Sequence, residues 1–120
     1  MQVCMLFYEP QSETAKRHDP AQAPAYWGAW MAYIATLRDS GLMVGGNGLE
    51  PWSAATTLRI GADGRQVQDG PYADTREQLG GYVVLEVPDL DTALDWASRC
   101  PVFPGGAVEV RPVMPPPPAA

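Results

Sequence analysis

Residues 81–97 read GYVVLEVPDLDTALDWA, an apolar stretch that passes directly into an amphipathic one. In the first half, Val83, Leu85 and Val87 share one face of a strand, and Tyr82 and Val84 make the other face largely apolar as well. Pro88-Asp89 then begins a helix, because aspartate is favoured at a helix N-terminus. The stretch therefore predicts an inner strand, Gly81–Val87, followed by a helix that buries one side.

The first third of the chain repeats this order of a strand and then a helix. Gln2–Tyr8 is apolar with few charges, which is typical of a strand buried on both faces. In Ala25–Ser40, between Pro24 and Gly41, apolar residues recur at helical spacing. The polar segment between them, Gln11–Pro24, has no apolar period and predicts a connecting loop.

The middle of the chain carries a hairpin signal. Asp63-Gly64 separates the extended segments Thr56–Ile60 and Arg65–Gln68, and an Asp-Gly pair in that position predicts a β-hairpin. Asp74–Glu77 has the spacing of a capping box, which predicts a helical turn. With a last alternating strand at Ala107–Val113, the order is β, α, several β segments, β, α, β. This order predicts an α+β, ferredoxin-like split βαβ fold, with an antiparallel sheet, two helices on one face and an extra hairpin.

The other face of such a sheet has no helices over it. It would carry Tyr82 and Val84, and it would expose apolar surface to water unless something covers it. A second copy is the simplest cover, so we predict a homodimer. We also predict a single domain over residues 1–114 and a proline-rich tail over residues 115–120, because the run Pro115–Pro118 cannot pair in a sheet.

Composition and charge limit the possible partners. The chain has 120 residues, of which 46 % are hydrophobic and 18 % charged, enough for one core. The net charge of −6 repels phosphate backbones and anionic lipids, so we expect neither nucleic acid nor a membrane as a direct partner. The first residues do not have the pattern of a signal peptide, which favours a cytoplasmic protein.

Few residues suit a cofactor. Cys4, Cys100 and His18 match no metal-binding spacing, and two cysteines are too few for a disulfide framework. Gly45–Gly48 is followed neither by Lys-Ser/Thr nor by a helix, as a phosphate-binding loop would be. We therefore expect no metal, nucleotide or other cofactor.

Three motifs point to a known family. Residues 69–82 read DGPYADTREQLGGY, residues 88–97 read PDLDTALDWA and residues 108–113 read VEVRPV. With these motifs the chain resembles the YCII-related proteins of the DGPF type, from the first strand almost to the proline tail. The resemblance implies a dimeric ferredoxin-like fold of the dimeric α+β barrel superfamily, with a cavity between the sheet and the connecting loops.

The resemblance also has implications for function. In the wider YCII-related group, a histidine on the first helix and an aspartate have been proposed as an acid/base centre for small organic molecules. In this sequence Trp30 fills that histidine position, and His18, the only histidine, precedes the helix. Genes of the DGPF type often neighbour those of extracytoplasmic-function sigma factors, which implies a regulatory role as an alternative.

Asp69 is the candidate acid/base residue, since a carboxylate beside a Gly-Pro turn at a sheet edge can face a cavity. Alternatively, its side chain caps the N–H groups of its own turn. His18 would be its partner if the loop closed over the site, and is otherwise solvated.

Glu86 would line a dimer cavity on the helix-free face, or else stand in solvent. The aromatic candidates for ligand contact, which are alternatively core residues, are Tyr8, Tyr26, Trp30 and Tyr72. Pro71 of the turn is a further candidate ligand contact.

Two functions follow as hypotheses. The first is that the protein binds or converts a small organic molecule in a cavity near the Asp69-Gly70-Pro71 turn. The second is a non-catalytic accessory or regulatory module associated with an extracytoplasmic-function sigma factor. The loss of the helix histidine to Trp30 favours the second, and the cavity implied by the resemblance favours the first.

Overall fold

The computed structural model describes residues 1–118, which form six strands and three α-helices. The elements are β1 (Gln2–Pro10), α1 (Gln11–Thr14), α2 (Ala23–Asp39), β2 (Met43–Gly48), β3 (Thr56–Gly61), β4 (Gly64–Asp69), β5 (Glu77–Glu86), α3 (Leu90–Ala97) and β6 (Ala107–Pro112). Short 3₁₀ turns lie at Ala15–His18 and Trp52–Ala54.

Four strands form an antiparallel sheet in the order β2-β5-β1-β6, and β3 and β4 pair separately as a hairpin. The two central strands are therefore the two apolar strands of the sequence, Gln2–Tyr8 and Gly81–Val87. Without the inserted hairpin, the order is that of a ferredoxin-like split βαβ fold. The predicted fold class and the predicted hairpin are confirmed.

The core lies on one face of the sheet. Alternate residues of β1 and β5, such as Met5 and Leu85, are fully buried there. Leu37 of α2 and Ala93 of α3 belong to the same cluster, so both helices cover that face. Phe7 packs edge-on against Trp30, with the ring centroids 5.1 Å apart. Burial of this apolar surface is the main force holding the two layers together.

Two local predictions are wrong. Gln11–Pro24 is not a plain loop, because it contains α1, a 3₁₀ turn and the first residues of α2. Pro24 lies within the first two residues of α2, where its missing N–H costs no hydrogen bond. Asp74–Glu77 forms no helical turn, since Glu77 already begins β5 and pairs with Pro10. Strand pairing with β1 outweighs the local capping signal there.

The apolar side chains on the helix-free face of the sheet are only partly buried. Leu6, Tyr8, Tyr82 and Val84 are partly exposed on it, and the homodimer predicted from this face stays a prediction. Residues 113–118 have no regular secondary structure, and residues 119–120 of the predicted tail lie outside the described residues. Within residues 1–118, no helix has the length and apolar character needed to cross a membrane.

Candidate functional site

A cavity of about 420 Å³ lies between α2 and the sheet, over β2 and β5; we call it the α2 cavity. Its volume is within the range of pockets that hold small organic ligands. One wall comes from α2, whose large side chains recur every three or four residues and so face the sheet together. The α2 side chains that line it are Tyr26, Trp27, Trp30, Met31, Ile34, Ala35 and Arg38.

Glycines on the sheet side leave room for the cavity. Gly46, Gly80 and Gly81 line it, and none carries a side chain that would fill it. At Gly46 (φ +155°) an added Cβ would lie 2.5 Å from the carbonyl oxygen of Tyr82, which no L-residue tolerates without a backbone shift. At Gly80 an added Cβ would lie 3.0 Å from Glu9 Oε1. At these two positions the floor of the cavity is therefore packed so closely against β5 and against Glu9 that only glycine fits.

One end of the α2 cavity is polar and buried, and we call it the polar end: Glu9, Arg17 and Tyr26. Tyr26 Oη donates a hydrogen bond of 2.7 Å to Glu9 Oε1, and Arg17 Nη2 lies 3.4 Å from the same oxygen. Arg17 Nε donates to Tyr26 Oη at 3.0 Å. The side chains of Arg17 and Glu9 are only 8 % and 2 % exposed. A buried ion pair of this kind is costly to desolvate and depends on such additional hydrogen bonds.

The Arg17 guanidinium is held from several sides. Nη1 donates to the Leu49 carbonyl oxygen at 2.6 Å, and Nη2 donates to the Gly80 carbonyl oxygen at 3.2 Å. The guanidinium also lies over the rings of Tyr26 and Trp27, at 5.6 and 5.2 Å from their centroids. Arg17 is therefore fixed in position and largely satisfied, so its main role is to hold Glu9 and Tyr26.

Two buried polar atoms of the cavity wall lack a partner. Among the described residues, Glu9 Oε2 accepts no hydrogen bond and Trp30 Nε1 donates none. Such atoms are rare in folded proteins because leaving them unpaired costs free energy. A carboxylate oxygen can accept a hydrogen bond and an indole N–H can donate one. Both atoms have almost no accessible surface, so the wall can offer them to a ligand as one acceptor and one donor only where a side chain shifts to expose them.

Tyr26 is a hydrogen-bond donor at neutral pH. Burial, together with its hydrogen bond to Glu9, raises the pKa of Tyr26 to about 12, although Arg17 acts in the opposite direction. The hydroxyl therefore keeps its proton and continues to donate to Glu9.

A second cavity, of about 290 Å³, lies beside the predicted turn, and Pro71 is part of its wall. Trp52, Ala55 and Leu79 line it as well. Neither Asp69 nor Tyr72 is among its lining residues. This cavity has one charged side chain in its wall, Glu50, and lacks a buried polar cluster like that of the α2 cavity.

The structure does not bring the predicted acid/base residues together. Asp69 ends β4 and is exposed, and within residues 1–118 its carboxylate makes no hydrogen bond, either to its own turn or to His18. His18 is exposed at the end of its 3₁₀ turn. Tyr72 is 74 % exposed, with the Arg59 guanidinium 5.0 Å from its ring centroid. None of the three lines either cavity.

The other predicted ligand contacts divide between the two faces of the sheet. Trp30 and Tyr26 lie in the wall of the α2 cavity. Tyr8 lies on the helix-free face, where its Oη donates to Glu109 at 3.3 Å and burial raises its pKa. Glu86 lies at the end of β5, is 58 % exposed and pairs with the N-terminal amine of Met1 at 3.1 Å. It therefore lies outside the α2 cavity.

Comparison with known proteins places this fold in a family. A family model described as the YCII-related domain matches residues 1–116. The chain belongs to the YCII-related family. Its placement in the DGPF branch of that family stays a prediction.

Two known proteins are similar to this YCII-related chain. An uncharacterised protein of Rhizobium meliloti (strain 1021) is 45 % identical over 67 residues, which are 54 % of each chain. The chain thus spans about half the length of the curated relative it matches. It is also similar to the structure of 5-chloro-2-hydroxyhydroquinone dehydrochlorinase from Burkholderia phenoliruptrix AC1100 in complex with 2,5-dihydroxybenzoquinone. That match has a TM-score of 0.49 and 17 % identity and covers 91 % of each chain.

At the polar end of this YCII-related domain, sequence reasoning identified Tyr26 and missed Glu9 and Arg17. Glu9 stands at the end of an apolar strand, and Arg17 stands in a segment that was interpreted as a loop. Glu9 continues the alternation of buried residues along β1 (Val3, Met5, Phe7), and a charged residue in a buried position was the signal that could have revealed it. No group of three or more His, Cys, Asp or Glu that could hold a metal occurs in the described part of the chain.

Proposed function

We propose that this protein binds a small organic molecule in the α2 cavity. The observation that carries the proposal is an apolar, aromatic cavity whose inner end holds the buried Glu9–Arg17 pair and Tyr26. Apolar walls with a few convergent polar groups are the usual composition of ligand sites. The proposal keeps the ligand class expected from the sequence and moves its site from the Asp69 turn to α2.

The walls suit a ligand with a flat or aliphatic body. Trp30 is packed edge-on against Phe7 and Tyr33, with centroids 5.1 and 6.0 Å away, so its ring presents a fixed surface. Trp27 and Met31 lie at the outer side, where they are 41 % and 71 % exposed. Covering these side chains with a ligand would remove apolar surface from water, at about 25 cal/mol for each Å².

Glu9 is the carboxylate that we place at the ligand. Its Oε1 already accepts from Tyr26 and Arg17, whereas Oε2 has no partner among the described residues. A ligand O–H or N–H that reached Oε2 would satisfy it, and a carboxylate so placed is also suited to accept a proton. Asp69 and His18 remain proposals for an acid/base role, without a contact to this cavity to support them.

The accessory-module hypothesis has less support. No observation on residues 1–118 favours a sigma factor as partner. The homodimer is compatible with either function, because the α2 cavity and the helix-free face lie on opposite sides of the sheet.

The test is a ligand screen with a blocked cavity. Ala35 is exposed on α2 and lines the cavity, whereas Ala32, also exposed on α2, does not. We would screen a fragment library of phenols, amides and aromatic and aliphatic acids by ligand-observed NMR. A hit at ten times its Kd should stabilise the wild type by about 1.4 kcal/mol, which raises Tm by roughly 5 °C.

Ala35→Phe should abolish binding of the hits, because the ring fills the cavity, while Ala32→Phe should leave it intact. Both variants should fold, since both positions are solvent-exposed. If no fragment binds the wild type, or if the hits bind Ala35→Phe as tightly as Ala32→Phe, the proposed site is wrong.

A further inference from the structure

The α2 cavity has a second charged position, far from the polar end. Arg38 lines the cavity twelve residues after Tyr26 on the same helix. At 1.5 Å per residue, the two Cα atoms are about 18 Å apart along the helix axis. The cavity therefore runs along α2 for about three turns, with Arg38 at the outer end and Glu9 at the inner end.

Arg38 and Arg17 differ in what they bind. Arg17 donates to Tyr26, Leu49, Gly80 and Glu9. The Arg38 guanidinium makes no hydrogen bond and no ion pair with any of residues 1–118, and the residue is exposed. Exposed arginines are commonly solvated, so exposure alone indicates nothing. A guanidinium at the mouth of a ligand cavity is, however, available to a carboxylate, which it binds in a bidentate geometry.

The charges of the cavity favour an anion. The charged side chains in its wall are Glu9, Arg17 and Arg38, so the wall carries a net charge of +1. The whole chain carries −6. Glu9 and Arg17 neutralise each other at the inner end, which leaves the positive charge at Arg38. The net charge of the cavity wall is thus positive, whereas that of the whole chain is negative. A local positive charge in a cleft attracts negatively charged ligands.

We infer that the ligand is an amphipathic organic acid, whose carboxylate pairs with Arg38 and whose apolar body lies along Trp30, Met31 and Ile34. A neutral hydrogen-bond donor at its other end, such as a hydroxyl, reaches Glu9. This inference rests on the proposed function and adds the class of ligand. The cavity volume equals that of about 14 water molecules, which is enough for an aryl-alkyl acid.

The probes are ω-(4-hydroxyphenyl)alkanoic acids of increasing chain length and their primary amides. Each amide matches its acid in shape and keeps the phenol, but it has no negative charge. We would measure the Kd of each acid and amide by isothermal titration calorimetry, for the wild type, Arg38→Gln and Arg99→Gln. Arg99 is the matched control, because it is exposed, pairs with Asp95 and does not line the cavity.

The best acid should bind the wild type about three- to tenfold more tightly than its amide, the range expected for one partly exposed, charge-assisted pair. Arg38→Gln should remove this preference and leave the Kd of the amide unchanged. Arg99→Gln should keep the preference, which separates a local effect from the change in net charge.

The outcomes separate the two proposals. Equal Kd values for acid and amide in the wild type, or an acid preference that survives Arg38→Gln, would overturn the inference while the proposed site stands. Absence of binding by all acids and amides to the wild type would overturn the inference, and the fragment screen with Ala35→Phe would then decide whether the proposed site stands. A thermal unfolding curve of each variant confirms that it is folded at the temperature of the titration.

Discussion

At the scale of single residues, the buried hydroxyl of Tyr26 links the site to stability. Tyr26 is 7 % exposed and donates to Glu9 at 2.7 Å. Burial, which is the larger cause, and the Glu9 hydrogen bond raise its pKa from 10.0 to about 12. Because the folded-state pKa is higher than the unfolded one, the stabilisation is complete below about pH 10 and is lost as the pH rises towards 12.

Tyr26→Phe tests this dependence. The free energy of unfolding should be lower in Tyr26→Phe than in the wild type by an amount that stays constant between about pH 7 and 9 and shrinks above about pH 10. Urea unfolding of both proteins across that pH range measures it. A difference that stays constant up to about pH 11.5 would contradict a raised pKa of Tyr26.

At the scale of elements, β2 can lie close to β5 only because of Gly46. Gly46 pairs with Val83, and its backbone has a φ of +155°. An added Cβ would lie 2.5 Å from the Tyr82 carbonyl oxygen and 2.8 Å from the Val83 Cα, both of them backbone atoms. Backbone atoms cannot rotate away as a side chain can, so the strand itself would have to move.

Gly46→Ala should therefore lower the free energy of unfolding by about 2 kcal/mol or more. Gly48→Ala is the matched control in the same strand, because an added Cβ there meets nothing within 4 Å. Its effect should stay within about 1 kcal/mol. Urea unfolding measures both losses. If Gly46→Ala loses no more free energy of unfolding than Gly48→Ala, and both losses are small, β2 tolerates a side chain at Gly46.

At the scale of the whole molecule, the shape is flat and extended. The principal extents are 55 × 49 × 19 Å and the radius of gyration is 16.5 Å. A globular chain of this length would have a radius of gyration of about 14 Å. The β3–β4 hairpin pairs apart from the four-stranded sheet, and its Leu58, Ile60 and Val67 are at least half exposed. An isolated two-stranded hairpin is only marginally stable in water, so contacts with another copy would stabilise it.

The predicted homodimer is tested at the helix-free face. Val84→Arg places a charge at the centre of that face and should convert a dimer into a monomer of 12.9 kDa, because an unpaired buried charge is costly. Leu94→Arg is the control, since Leu94 is 48 % exposed on α3, on the other side of the molecule. Light scattering coupled to size exclusion measures the mass. A monomeric wild type, or a dimer unaffected by Val84→Arg, would contradict this interface.

The sequence by itself determined the elements whose signals are local. The alternation in Gly81–Val87, the helical spacing in Ala25–Ser40 and the Asp63-Gly64 pair each follow from the geometry of a few neighbouring residues. The order of these elements then determined the ferredoxin-like fold, because few topologies bury two such helices on one sheet. Trp30 and Tyr26 were likewise identified as candidate ligand contacts.

Only the tertiary structure decided where the site is. Glu9, Arg17 and Gly80 are up to 71 residues apart in the chain and meet only because β1 pairs with β5 and the turn before α2 folds back over them. The same pairing made Glu77 part of a strand despite its local capping signal. Asp69, by contrast, belongs to a distinctive sequence motif, but in the fold its side chain is exposed to solvent and lines neither cavity. Local patterns fix backbone conformation and indicate which face of an element is buried, whereas the pairing of Glu9 with Arg17 depends on contacts between distant segments, which no local pattern encodes.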